Sequence, residues 1–241
     1  MSSSSSAHVQ ALFNRIAPVY DRLNGWLSLG QHRVWKQMAI RWANPSPDGI
    51  NVDLCCGSGD LTLMMARTLR GRGQIVGIDF SERQLAIARA RAAFLPWSDA
   101  LQWIESDILT LPLPDRSVDA ITMGYGLRNV TDIPTALSEM YRVLKPGARA
   151  AILDFNRPTS DAMQQFQRWY LRQVVVPVAG FFALTEEYAY LEASIARFPT
   201  GPEQIQLAAE AGFENAKHYA IAADTMGILV VAKPSTARES T

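Results

Sequence analysis

The chain is predicted to fold as an α/β protein built on a doubly wound, mainly parallel sheet, and three observations predict it. Residues 51–60, N-V-D-L-C-C-G-S-G-D, read as a buried strand that runs into a glycine-rich turn. Residues 75–80, I-V-G-I-D-F, read as a second strand ending at an acidic residue. Strand-like and helix-like segments then alternate to the end of the chain, the pattern that builds such a sheet.

In the first strand Val52 and Leu54 supply β character, and Gly57 and Gly59 let the backbone turn tightly and approach a ligand. Residues 61–70 follow as a helix with Leu61, Met64, Met65 and Leu69 on one face. After the second strand, residues 82–94 predict a helix with Ser81 as its N-cap and Leu85, Ile87, Ala88 and Ala92 as its apolar positions. Residues 101–105 predict a short strand that ends near Ser106 and Asp107, and an L-P-L-P-D turn leads to a central strand at 118–122. Residues 133–144 predict the next helix, ended by Lys145, Pro146 and Gly147. A strand at 149–154 and a last pair at 218–222 and 227–232 complete the sheet, whose strand–turn–helix start makes it Rossmann-like.

Two helix-like segments stand outside the alternation: residues 9–43, with Phe13, Tyr20, Trp26, Trp35 and Trp42, and residues 161–197. Ligands of open α/β sheets lie beyond the carboxyl ends of the strands, where added helices shape a pocket. The expected organisation is a disordered tail over 1–8, an N-terminal helical cap over 9–45, a main domain over 46–234 with a helical insertion at about 160–200, and a disordered tail over 235–241.

Composition excludes several classes. Lys plus Arg and Asp plus Glu both number 23, so no global basic field draws in nucleic acid. The two cysteines, Cys55 and Cys56, are adjacent; neighbours rarely pair, and no Cys/His cluster offers a metal site, which points to a reducing, cytoplasmic setting. Residues 1–7 lack the apolar core of a signal peptide. The longest apolar run, 174–184, is too short to span a bilayer and contains Pro177 and Gly180.

The glycine turn is not a dinucleotide fingerprint, because Thr62 stands where a third glycine or alanine belongs, and Asp53 would face a phosphate with the wrong sign. A carboxylate at Asp53 suits a cationic group or an amine, and Asp79 suits ribose hydroxyls. S-adenosylmethionine carries all three, so the expected fold is that of a class I S-adenosylmethionine-dependent methyltransferase. Thr62 and Asp53 argue against a dinucleotide oxidoreductase, and the intact glycines and carboxylates against a binding module without turnover. Neutral charge and the lack of an N/D-P-P-Y-type motif argue against nucleic-acid methylation.

Three stretches then resemble one family throughout its order: F-N-R-I-A-P-V-Y-D-R-L-N at 13–24 with H-R-V-W-K at 32–36; G-L-R-N-V-T-D at 126–132 leading into R-V-L-K-P-G at 142–147; and Y-L-E-A-S-I-A-R-F-P at 190–199 with A-A-E-A-G-F at 208–213. R-V-L-K-P-G is common to many methyltransferases, whereas Y-D-x-x-N and G-L-R-N-V are much more specific. The chain resembles the ubiquinone/menaquinone biosynthesis C-methyltransferases, and its N-terminal wording is most similar to their cyanobacterial and plastid branch. Ser58 stands where the family usually has threonine, Ala148 replaces the second glycine of P-G-G, and the histidine often found near the family's C-terminus is missing.

The resemblance implies C-methylation of demethylphylloquinol (2-phytyl-1,4-naphthoquinol) to phylloquinol, with demethylmenaquinol, a 2-polyprenyl-benzoquinol or another small lipophilic aromatic as alternative substrates. It carries the cofactor site to Ser58, Asp79, Asp107, Ile108 and Gly124. Asp53, Gly57 and Gly59 join these from their own chemistry, with Phe80 placed against the adenine and Asp107 at its exocyclic amine. A quinol ring carbon becomes nucleophilic when the neighbouring hydroxyl ionises and then attacks the sulfonium methyl in line. Arg128 and Asn129, following the fourth strand, are the candidates to stabilise the phenolate. Tyr20, Asp21, His32 and Asp154 are the candidate proton acceptors. The expected partners are the lipophilic quinol and the surface of the membrane holding it, touched peripherally through residues 26–29 and 174–184; a homodimer is left open.

Overall fold

The computed structural model describes residues 30–170, 173 and 185–235. The strands are β1 (Ile50–Leu54), β2 (Gln74–Asp79), β3 (Leu101–Glu105), β4 (Val118–Gly124), β5 (Leu144–Phe155), β6 (Glu214–Ile221) and β7 (Met226–Ala232). They form one seven-stranded sheet in the order β3-β2-β1-β4-β5-β7-β6. The first five run parallel, and β7 lies antiparallel between β5 and β6. The described helices are α1 (Gln31–Ala43), α2 (Asp60–Leu69), α3 (Glu82–Ala92), α4 (Ile133–Val143), α5 (Asp161–Tyr170), α6 (Thr185–Arg197) and α7 (Gly201–Glu210).

Alternation along the strands sends side chains to two faces. Val52, Leu54, Val76, Ile78, Ile121, Met123 and Ile152 bury one face against Leu137 and Met140 of α4 and Ala208 of α7. On the other, Ile75 and Leu101 pack with Leu61, Met65 and Leu69 of α2, while Ala120, Ala151 and Leu153 receive Ala39 and Ala43 of α1. Helix α1, the described part of the segment 9–45, is thus a layer on the face of the sheet. The strand order reverses between β1 and β4, which opens a crevice at their carboxyl ends.

Three boundaries differ from the sequence reading. Lys145, Pro146 and Gly147 lie within β5, not beyond a helix end: Leu144 already pairs with Val118, and a register shift between Val118 and Ala120 absorbs the turn-forming residues. Strand β6 starts at Glu214, earlier than expected, because its residues alternate between half-buried and exposed at a sheet edge and carry little apolar signal. Helix α7 was not anticipated, although Thr200 and Glu203 form a capping box at its start and Pro202 sits in its first turn.

Gly77, in the middle of β2, makes room for Trp103 of β3: a Cβ built there would lie 2.6 Å from the indole and 3.0 Å from Cys56 Sγ. Gly77→Ala is expected to destabilise the protein by about 1–3 kcal/mol through overpacking, and Trp103→Leu in the same chain to recover most of that. Thermal unfolding of the single and double variants checks this; an unchanged midpoint for Gly77→Ala would refute it.

Candidate functional site at the carboxyl ends of β1, β2 and β4

The turn after β1 is built from left-handed backbone: Cys55 at φ 51°, Gly57 at 54° and Gly59 at 82°. Its two glycines serve different ends. A Cβ at Gly59 would meet Trp103 at 2.8 Å, whereas one at Gly57 would meet only Gln84 Oε1 at 4.0 Å. Gly57 therefore faces open space, as a ligand-approaching glycine must, and Gly59 is a packing glycine. The turn is tied to β2 by the Cys56 amide donating to the Ile78 carbonyl at 3.0 Å.

Asp79, at the end of β2, orders the turn. Its carboxylate accepts the Gly57 amide at 2.8 Å and the Ser81 amide at 2.9 Å. Burial pushes its carboxyl above the ordinary carboxylate range, against the pull of these amides. Ser58 accepts from Arg91 of α3 at 2.9 Å through both hydroxyl and carbonyl, and Asp60 is bracketed by Lys36 of α1 and by Arg91. Phe80 is half-buried beside Asp79; Asp107 is exposed and accepts the Leu109 amide at 3.0 Å; Ile108 is buried in the core. Gly124 closes β4, where a Cβ would reach Leu61 at 3.4 Å. Carboxylates at the ends of β2 and after β3, around an open glycine, fit the ribose and base of S-adenosylmethionine.

Asp53 departs from the ligand geometry expected of it. It is 0% exposed, and its two carboxylate oxygens accept the hydroxyls of Thr62 at 2.6 Å and Thr122 at 2.9 Å. Burial pushes its carboxyl up to about 7 in spite of both bonds. Cys55 and Cys56 are free, and burial pushes both thiols well up, which leaves them poor nucleophiles.

A second cluster lies at the ends of β4 and β5. Arg128 donates to Asp154 at 2.7 Å, with both side chains 3% exposed, and to the Tyr125 carbonyl at 2.7 Å. Its guanidinium also lies over the Phe155 ring, 5.2 Å from the centroid. Arg128 is therefore a buried cation neutralised by Asp154, not an open one; conversely Asp154, bound to that guanidinium and to the Arg128 and Phe155 amides, is no free proton acceptor. Asn129 is half-buried; it donates to the Tyr125 carbonyl at 3.2 Å and accepts the Tyr190 hydroxyl of α6 at 3.1 Å. Tyr190 was missing from the candidate residues: it lies 61 positions from Asn129, and only the fold joins them. Burial raises its phenol, opposed by the charges of Arg128 and Arg197.

His32 is buried on α1. Tyr20, Asp21 and the apolar segments 26–29 and 174–184 lie outside the described residues. Among the described residues no helix is long and apolar enough to cross a membrane.

Comparison with known proteins gives a consistent picture. The ubiE/COQ5 methyltransferase family matches residues 1–233. A Nostoc punctiforme protein named 2-phytyl-1,4-naphtoquinone methyltransferase is 55% identical over 225 residues, covering 93% of this chain and 98% of its own. The protein of that name from Synechocystis sp. is 53% identical over 229 residues, covering 93% of this chain and 94% of its own. The Arabidopsis thaliana 2-phytyl-1,4-beta-naphthoquinone methyltransferase, chloroplastic, is 50% identical, covering 91% of this chain and 85% of its own. Among solved structures, an S-adenosylmethionine-dependent methyltransferase from Aquifex aeolicus superposes with a TM-score of 0.59 at 16% identity, over 82% of this chain and 88% of that one. Haemonchus contortus phosphoethanolamine N-methyltransferase 2, in complex with S-adenosyl-L-methionine, gives 0.66 at 14% identity, over 92% of this chain and 60% of that one. At these identities the structural likenesses carry the fold alone.

Proposed function

The chain belongs to the ubiE/COQ5 methyltransferase family, and from that premise we propose that it uses S-adenosylmethionine to methylate a ring carbon of reduced 2-phytyl-1,4-naphthoquinone, completing phylloquinone. The observation that carries this substrate is the likeness to relatives so named, at half identity or more over some nine-tenths of the chain.

S-adenosylmethionine, when bound, supplies a sulfonium methyl group that a carbon nucleophile displaces. Gly57, Ser58, Asp79, Phe80, Asp107, Ile108 and Gly124 are the residues that would hold it, around the open turn at the sheet's switch point, with Gly59 packing that turn against Trp103. The substrate side is the cluster beyond β4 and β5. There the Asn129 amide and the Tyr190 hydroxyl form the polar pair that meets the ring hydroxyl and orients it. Arg128 stands behind them, shielded by Asp154, and acts as a positioning residue for the loop that carries Asn129. Tyr20 and Asp21 remain candidates for the proton acceptor from the sequence.

Tyr190→Phe is expected to lower kcat for the quinol about tenfold, the worth of one hydrogen bond of roughly 1.4 kcal/mol. Cofactor affinity should stay at the wild-type level. Steady-state kinetics beside cofactor titration checks this; an equal loss in both would remove Tyr190 from the substrate side.

The phytyl tail requires access to lipid, and peripheral contact with the membrane through segments 26–29 and 174–184 provides it. Flotation with vesicles carrying the quinone tests that contact, and complete absence of the protein from the vesicle fraction would refute it. The reaction itself is tested by methyl transfer from labelled S-adenosylmethionine to reduced 2-phytyl-1,4-naphthoquinone, its prenyl analogue and a benzoquinol precursor, each beside its oxidised form. Turnover of reduced naphthoquinols alone supports the proposal, and the phytyl-to-prenyl ratio reports how strongly the tail is read, methylenes being weak discriminators. No turnover with intact cofactor binding would remove the quinol assignment and leave the methyltransferase fold.

A further inference from the structure

Three elements meet at Asp53. It is the last residue but one of β1; Thr122 stands directly beside it on β4 in the parallel register; and Thr62 lies in the first turn of α2. All three side chains are 0% exposed. Helix α2 has Gly59 as its N-cap and no side-chain cap bond of its own. Asp53 therefore ties the first turn of α2 to the sheet through the Thr62 hydroxyl.

We propose that Asp53 is a positioning residue of the cofactor site, whose ionised carboxylate, clasped by Thr62 and Thr122, fixes the glycine turn and the start of α2 against β4 and acts on cofactor binding through those two threonines, not by touching the ligand. This rests on the S-adenosylmethionine reading above. The geometry favours it over direct contact, since both oxygens of a carboxylate sealed from solvent already accept buried hydroxyls. Protonation would reverse one bond of the clasp: an oxygen carrying hydrogen donates, so one threonine hydroxyl has to swing its own hydrogen away and accept instead.

The clasp sits where its charge state can change. Burial pushes the Asp53 carboxyl up to about 7, and the two threonines and the Lys36 ammonium hold it down. The other ionisable groups around it, Asp79 on β2 and the thiols of Cys55 and Cys56, are acidic groups, so Lys36 is the cation of this neighbourhood among the described residues. Only the ionised form accepts from both threonines at once, so cofactor affinity should rise with pH through this range. Between pH 6 and pH 8 the ionised fraction of a group titrating near 7 grows about tenfold.

The test is calorimetric titration of the whole protein with S-adenosylmethionine from pH 5.5 to 8.5, for the wild type and for Asp53→Asn, Thr62→Val, Thr62→Ser, Thr122→Val and Thr122→Ser. Carbon-detected NMR of the Asp53 carboxyl in the free protein accompanies it. The amine of the ligand titrates in this window too, and Asp53→Asn isolates that contribution. Expected are an Asp53-dependent rise of about tenfold in wild-type affinity, its loss in Asp53→Asn, and an upward shift of its midpoint in each valine variant. Each serine variant, which keeps the hydroxyl, should restore the wild-type midpoint. A merely structural threonine would not move a midpoint. Valine variants with wild-type affinity and midpoint, beside a weakened Asp53→Asn, would overturn the proposal in favour of direct contact. Wild-type binding by Asp53→Asn would remove Asp53 from the site altogether. A wild type that binds no S-adenosylmethionine would fell the cofactor reading and the proposal's link to it. The NMR midpoints, which need no ligand, would separate that outcome from failure of the clasp itself.

Discussion

Asp154→Asn is expected to lower the thermal midpoint by about 10 °C and to cut methyl transfer at least about a hundredfold, while S-adenosylmethionine binding stays near wild type. The carboxylate of Asp154 meets the Arg128 guanidinium at 2.7 Å with both side chains 3% exposed, and it also accepts the Arg128 and Phe155 amides. Removing its charge leaves a buried guanidinium without its counter-ion, which costs roughly 3–5 kcal/mol. A chain of this size loses roughly 2–4 °C per kcal/mol. The activity loss follows from position: the same loop carries Asn129, and a displacement of about 1 Å in a positioned group costs on the order of a hundredfold in rate. The double variant Arg128→Met with Asp154→Leu separates the two effects, because apolar residues of similar volume often replace a buried pair without loss of stability. It should regain most of the midpoint and none of the activity. Recovery of both would show that the pair serves stability alone.

Asp79→Ala should weaken S-adenosylmethionine binding by about a hundredfold or more. Two amide bonds to a charged acceptor disappear, those from Gly57 and Ser81, each worth roughly 1.5–3 kcal/mol, together with the acceptor for the ribose. Calorimetric titration measures this, and a loss below about tenfold would mean that the turn holds its shape without Asp79. The same residue predicts a pH effect. Burial raises its carboxyl in the folded state above the unfolded value, so its contribution to stability is fully present below the unfolded value. That contribution is lost as pH rises through the folded value. Relative to Asp79→Asn, the wild type should thus lose stability from about pH 4 upward. Denaturant unfolding at stepped pH reads the sign, and a difference that ran the other way would refute it.

Much of the proposed cofactor side was legible because its signals are local. The glycines of the turn, the acid ending β2 and the alternation of elements all lie within short stretches of chain, and backbone sterics ties each residue type to its conformation. The same applies to the Ser81 cap, whose side chain accepts the Gln84 amide as expected. The family wording at 13–24 and 126–132 carried the reaction class, and the match over residues 1–233 agrees with it.

What failed to show in the sequence is partnership across distance. Asp53 reads as a free carboxylate at a strand end until the fold sets Thr122, 69 positions away, beside it. Arg128 reads as an available cation until β5 brings Asp154 against it, 26 positions on. Tyr190 carries no mark of a site until α6 reaches Asn129. In each case the residue type and its place at a strand or loop end follow from local periodicity and turn chemistry. Whether its charge is open or already paired depends on which strands are neighbours and how deeply the pair is buried. The sequence by itself determined the α/β alternation, the glycine turn after β1 and the family; the tertiary structure alone decided which carboxylates are clasped and which side chains meet, because desolvation and hydrogen bonding between distant segments exist only once the sheet has assembled.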